Sequence, residues 1–147
     1  MEIITNSEKL SDKKFLRSLR HGVYVMQNSR NPYEFCIGAV GTTGDSVLRR
    51  LQQHIRFALG WRLVFFTQFP TADKVYSAES VLIGVLCNEY YRRTNTKFSV
   101  DKNACSFHYV AERVQHTANE AIDHFATYYG YSLEGLGFRP VDLKMAA

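Results

Sequence analysis

The chain is short of the residues that punctuate or staple a fold. Three prolines in 147 residues are too few for a proline-rich linker or a polyproline tract. The three cysteines, Cys36, Cys87 and Cys105, are odd in number, widely spaced and without a CxxC pair, so they frame neither a disulfide scaffold nor a zinc ribbon, and Cys105 with His108 lacks a second ligand pair. They read as reduced thiols. No apolar run approaches the roughly 20 residues that span a bilayer. The N-terminal MEIITNSEKLSDKKFLRSLR has no apolar core of a secretory signal, and no segment is the strongly amphipathic basic helix that would lie on a membrane. The expectation is an intracellular protein, cytoplasmic or nuclear, without a membrane partner. There is no GxxxxGK[ST] phosphate loop, so the glycines of the Gly41 to Gly44 segment read as a connection. His108, His116 and His124 show no metal-ligand spacing.

What is present suits one domain over residues 1–147: 46% hydrophobic residues in a chain long enough to bury a core. Nine tyrosines and ten phenylalanines supply flat rings for that core or for a binding surface. A net charge of +4 and a pI near 9.0 favour an acidic partner, because a basic surface concentrates polyanions.

Along the chain, Asn6 to Arg20 is polar with Leu10, Phe15, Leu16 and Leu19 as apolar anchors, the pattern of a short helix lying over the domain. Gly22-Val23-Tyr24-Val25-Met26 and Phe35-Cys36-Ile37-Gly38-Ala39-Val40 are strand-like, and the turn residues of Gln27 to Glu34 join them as a hairpin. Thr43 or Asp45 can cap a helix carrying Leu48, Leu51, Ile55, Ala58 and Leu59 on one face. Trp61 to Thr67 is a third strand, ended by Pro70. A long helix from about Ala72 to Arg92 carries Val75, Glu79, Leu82, Leu86 and Tyr90 on one face, a carboxylate inside an apolar stripe. Lys97 to Val100 and Ser106 to Val110 are short strands or extended loops, Ala111 to Tyr129 is a last helix, and the tail through Gly137 to Pro140 is irregular. The fold class is α/β of the α+β kind, a small central three-stranded sheet, mixed or antiparallel, flanked by helices.

The hairpin holds the most specific signal. Gly22-Val23-Tyr24 is followed after eleven residues by Cys36-Ile37-Gly38, then by Arg50 and, four residues on, His54, and finally by Glu79 on the long helix. In this order the set resembles the GIY-YIG nuclease superfamily, over about residues 22 to 90, with helical additions on either side. The resemblance implies an endonuclease that hydrolyses DNA phosphodiester bonds with one divalent ion, Mg²⁺ or Mn²⁺. It implies that Tyr24 positions or deprotonates the attacking water, that Arg50 holds the phosphate, that His54 assists by hydrogen bonding, and that Glu79 is the metal ligand. Arg50 and His54, four apart, would lie on one helix face. Arg49, Arg62, Arg92, Arg93 and Lys97 are candidates for phosphate contacts that position DNA without reading its sequence.

The chain departs from the family at Cys36, which stands where the second motif tyrosine is usual. The stretch from Gly38 to Arg50 is also longer than in compact members, which keeps Arg49 open as the functional arginine, and the late polar residue has only Asn88 and Asn95 as candidates. Taken singly, each residue has a plainer reading. Tyr24 is then a core or edge tyrosine, Arg50 a solvated arginine and His54 a helix histidine, while Glu79 is paired with Arg49, Arg50 or Arg62 or sits at the rim. Two further readings stay open: a noncatalytic nucleic-acid-binding module that keeps the fold, and a protein-interaction domain using its aromatic surface. A homodimer would let one site per chain cut both strands of a duplex.

Overall fold

The computed structural model describes residues 2–41, 49–50 and 60–130. Strand β1 (Glu2–Ile4) leads into two short helices where one is expected, α1 (Ser7–Ser11) and α2 (Lys13–Ser18). Capping divides them: the Asn6 side chain accepts from the Glu8 and Lys9 amides at 2.9 and 3.2 Å, and Asp12, which ends α1, accepts from the Lys14 and Phe15 amides at 3.0 and 3.4 Å. Short polar side chains that satisfy the orphan N–H groups of a new helix also stop the previous one.

The predicted hairpin forms from β2 (Gly22–Asn28) and β3 (Glu34–Val40), antiparallel, with Tyr24 opposite Gly38 and Met26 opposite Cys36. β4 (Trp61–Gln68) pairs with the other edge of β2, placing Phe66 opposite Tyr24. Between Val25 and Met26 the register of that pair shifts, so β4 carries an extra residue there. The long helix is α3 (Val75–Glu89), followed by β5 (Tyr91–Arg92), β6 (Lys97–Ser99) and α4 (Val110–Tyr128). Ser106 to Tyr109 is a turn into α4 and not a strand.

The fold is α+β, but the sheet is wider than the three strands expected, and every pairing in it is antiparallel. Its order is β1-β4-β2-β3-β6-β5. The three added strands have three, three and two residues, too few for the period-2 pattern by which a strand is read from sequence.

Side chains alternate across the sheet. Val23 and Val25 face a core shared with Val75, Ala78, Leu82 and Leu86 of α3 and Val114, Ala118, Ile122 and Phe125 of α4. Tyr24 and Met26 face the other side, with Cys36, Val40 and Phe66, covered by Ile4, Leu10, Leu16 and Leu19. Phe98 stacks between Phe35 at 5.3 Å and Tyr90 at 5.6 Å, tying the end of α3 to the sheet. The buried stripe of α3 is therefore Val75, Ala78, Leu82 and Leu86, and Glu79 lies half-buried at its flank instead of within it. Among the described residues, no helix is long and apolar enough to cross a membrane. The helix expected over Leu48 to Leu59 lies outside the described residues apart from positions 49 and 50, which are helical. The tail through Gly137 to Pro140 lies outside them too.

Candidate active site

Two glycines set the position of Tyr24. A Cβ on Gly38 would lie 2.6 Å from Cε2 of Tyr24 and nearer still to its Cζ and Oη, so the ring lies across the bare backbone of its cross-strand partner. A Cβ on Gly22 would likewise meet Phe66, 2.8 Å from Cε2 and closer to Cζ, and would overlap the Thr67 carbonyl. The glycines of the two motifs are thus needed for close approach of rings to backbone, one of the uses that favour glycine in a strand. Packed this way, Tyr24 has no solvent exposure.

Tyr24, Arg50 and Glu79 come together from three separate segments. The Arg50 guanidinium is close enough to act on the phenol by its charge, and Glu79 is close enough to act on it as well. Burial is the larger influence and holds the phenol above its usual value. Arg50 opposes that shift, while Glu79 adds to it. Glu79 is itself raised by burial and pulled back by Arg50. Of the two candidate arginines, Arg50 is therefore the one that bears on both the phenol and the carboxylate. The chain alone keeps Tyr24 neutral at ordinary pH, a hydrogen-bond donor and not a base.

His54 lies outside the described residues. Cys36, opposite Met26, is buried, and its thiol is pushed up to about 11 by burial despite the nearby Lys97 ammonium. It is neutral at physiological pH and is neither a metal-binding thiolate nor a nucleophile as it stands.

The other cations divide by face. Gln27 shares its face with Val25, and its Oε1 accepts from Arg62 Nε at 2.8 Å, so Arg62 belongs to the side covered by α3 and α4. Arg92 pairs with Phe98 on that side, and its charge opposes the upward push that burial gives the Cys87 thiol. Lys97 pairs with Cys36 on the Tyr24 side, and Arg93 bonds Ser99 Oγ at 3.0 Å. Arg49 is exposed beside Arg50. Neither Asn88 nor Asn95 is buried.

Sequence reasoning missed Tyr76, one helical turn before Glu79, against which a Cβ on Gly41 would press at 2.9 Å. This contact fixes the first turn of α3 beside the end of β3. Its signal was available, since Tyr76 and Glu79 are three apart and share a helix face. Compared with protein-family models, with curated proteins and with solved structures, the chain matches none.

Proposed function

We propose that this chain is a GIY-YIG-type endonuclease that hydrolyses DNA phosphodiester bonds, using Tyr24, Arg50 and Glu79 with one divalent metal ion. The observation that carries the reading is the convergence of a phenol, a guanidinium and a carboxylate from a strand, a helical pair of residues and α3, over a glycine that makes room for the phenol. Arg50 is exposed and Glu79 half-buried, so both stand at the rim of the core, where a phosphate and a metal ion can reach them.

In this reading Arg50 holds the phosphate and offsets the charge that develops on it. Tyr24 positions the attacking water through its hydroxyl and takes up a proton only when added positive charge lowers its pKa. His54, four residues after Arg50, lends a hydrogen bond at the phosphate or water. Arg49, Arg93 and Lys97 contact neighbouring phosphates on the Tyr24 side, while Arg62 and Arg92 serve DNA that wraps the sheet edge.

Among the described residues no three His, Cys, Asp or Glu side chains gather into a ligand set. Among those residues, the donor on offer beside Tyr24 is the half-buried carboxylate of Glu79. One hard oxygen donor suits Mg²⁺ or Mn²⁺, which keep several waters and take up substrate phosphate oxygens. A bound ion supplies the positive charge that polarises the phosphate and its water.

The noncatalytic module is favoured by two observations, the complete burial of Tyr24 and the thiol of Cys36 in place of a phenol. Cleavage of plasmid and oligonucleotide DNA in Mg²⁺ or Mn²⁺, with EDTA as control, separates the two. Cutting that is abolished by Glu79→Ala and reduced at least a hundredfold by Tyr24→Phe supports the nuclease. Salt-sensitive binding with no cutting in either metal supports the module.

A further inference from the structure

The Tyr24 side of the sheet also carries a row of rings and cations. Trp61 of β4 pairs with Asn28, whose amide donates to Glu34 at 3.1 Å. Glu34 pairs with Ser99, and Ser99 with Tyr91. The row therefore runs across β4, β2, β3, β6 and β5 with a ring at each end. Each ring has its own cation: Lys97 Nζ lies 5.9 Å from the centre of the Trp61 ring, and the Arg93 guanidinium lies 4.9 Å from that of Tyr91. Tyr91 is 68% exposed, and both cations are exposed.

We propose that this row is a platform for a single-stranded nucleic-acid segment, with bases stacking on Trp61 and Tyr91 and the Lys97 and Arg93 side chains turning from the rings to the phosphates. The chemistry selects that occupant. Ring faces are sequence-tolerant stacking surfaces for bases, and cations interleaved with them track a backbone. In a duplex the base faces are already stacked on one another and cannot reach the rings. An apolar protein surface would leave Lys97 and Arg93 desolvated without a counter-charge. Glu34, the carboxylate within the row, is engaged by Asn28 and is outnumbered by the two cations.

The row lies four residues along β2 from Tyr24, or about 13 Å at the rise of an extended strand. Resting on the nuclease reading, this distance lets one substrate reach both, a junction with a duplex at the site and an unpaired arm crossing the platform.

Because Trp61 is the chain's one tryptophan, its emission reports stacking directly. The full chain is titrated in EDTA, where nothing is cut, with a twelve-residue oligothymidylate and with a blunt duplex, alongside Tyr91→Ala. Saturable, salt-sensitive quenching by the single strand is expected, at least tenfold tighter than by the duplex, with Tyr91→Ala weakening it by about 5- to 150-fold. Absence of quenching, equal quenching by the duplex, or unchanged affinity in Tyr91→Ala overturns the platform. Thermal melting of Tyr91→Ala confirms that an exposed edge residue was removed without unfolding the chain. The junction is tested separately in Mg²⁺: preferential cutting of a duplex with a single-stranded arm supports it, and equal cutting of blunt duplex overturns it. Quenching in EDTA without cutting in Mg²⁺ retains the platform and rejects the nuclease reading alone.

Discussion

Replacing Gly38 by alanine tests whether the ring of Tyr24 is held by the missing side chain opposite it. The backbone of Gly38 does not take a positive φ, which among the described residues is confined to Gly60 and Gly130, so alanine fits the backbone and the conflict is steric alone. The new methyl would sit 2.6 Å from Cε2 of a ring with no solvent exposure to swing into. Overpacking of this kind costs about 1–3 kcal/mol, against which the lost unfolded-state freedom of glycine returns about 0.4–1 kcal/mol. The net destabilisation is up to about 2.6 kcal/mol, or a fall of up to about 10 °C in melting temperature for a chain of this size.

The decisive measurement is a double-mutant cycle by urea unfolding. In a Tyr24→Ala background the ring is gone, so Gly38→Ala should change sign and stabilise by about 0.4–1 kcal/mol. Equal effects of Gly38→Ala in both backgrounds would refute the packing argument, because additivity means that the two side chains do not meet. Cleavage should follow the ring: Gly38→Ala displaces the Tyr24 hydroxyl and lowers kcat with little change in DNA affinity.

Gly84, inside α3 with nothing within 4 Å of its would-be Cβ, provides the opposite case, and Gly84→Ala should raise stability by about 0.5–1 kcal/mol in thermal melts. Gln115 donates from Nε2 to the Val64 carbonyl at 2.8 Å beside the irregular stretch of β4. Gln115→Leu leaves that carbonyl buried without its donor and should cost about 1–3 kcal/mol in urea unfolding, whereas an unchanged midpoint would mean that the bond is worth nothing net. Glu79 has a raised pKa in the fold, so its carboxyl favours folding while protonated. That contribution is complete below the ordinary glutamate value of 4.5 and is lost as pH rises through the higher folded value. Glu79→Gln should flatten the stability profile above pH 4.5, and it should also abolish any rise in melting temperature that Mg²⁺ gives the native chain.

The hairpin was legible because its two strands are long, β-branched and joined by turn chemistry, and the same residues carry the motif. The width of the sheet was not legible, because Glu2–Ile4, Tyr91–Arg92 and Lys97–Ser99 are strands by virtue of their neighbours and carry no pattern of their own. Helix α3 was legible in extent to within three residues at each end, but its rotation was not. Reading Glu79 into the stripe required passing over Ala78, a residue too small to weigh in a hydrophobic count yet fully buried. The meeting of Tyr24 with Arg50 and Glu79 could be expected only from the resemblance, since nothing local to any of the three segments specifies the others. The paired rings and cations could have been sought, because Tyr91 and Arg93 stand two apart and alternate residues of a strand share a face.

The electrostatics of Tyr24 separate the two functional readings more sharply than its burial does. A phosphate arriving beside the phenol brings negative charge, which raises the phenol further and engages part of the positive charge of Arg50 that now opposes the shift. DNA binding alone therefore leaves Tyr24 neutral, donating a hydrogen bond to the phosphate, and this is all that a noncatalytic module needs. Deprotonation requires the reverse change, positive charge placed at Glu79, which cancels the carboxylate's raising influence and adds an attraction for the phenolate. A nuclease should thus show cleavage that rises with pH toward a Tyr24 ionisation moved down by the bound ion, and the rise should begin at a different pH in Mn²⁺ than in Mg²⁺. Single-turnover cleavage across pH 6–10 in both metals, with Tyr24→Phe alongside, measures this. A profile in Tyr24→Phe that keeps the native slope would show that the phenol is not the titrating base and would leave Tyr24 a positioning residue.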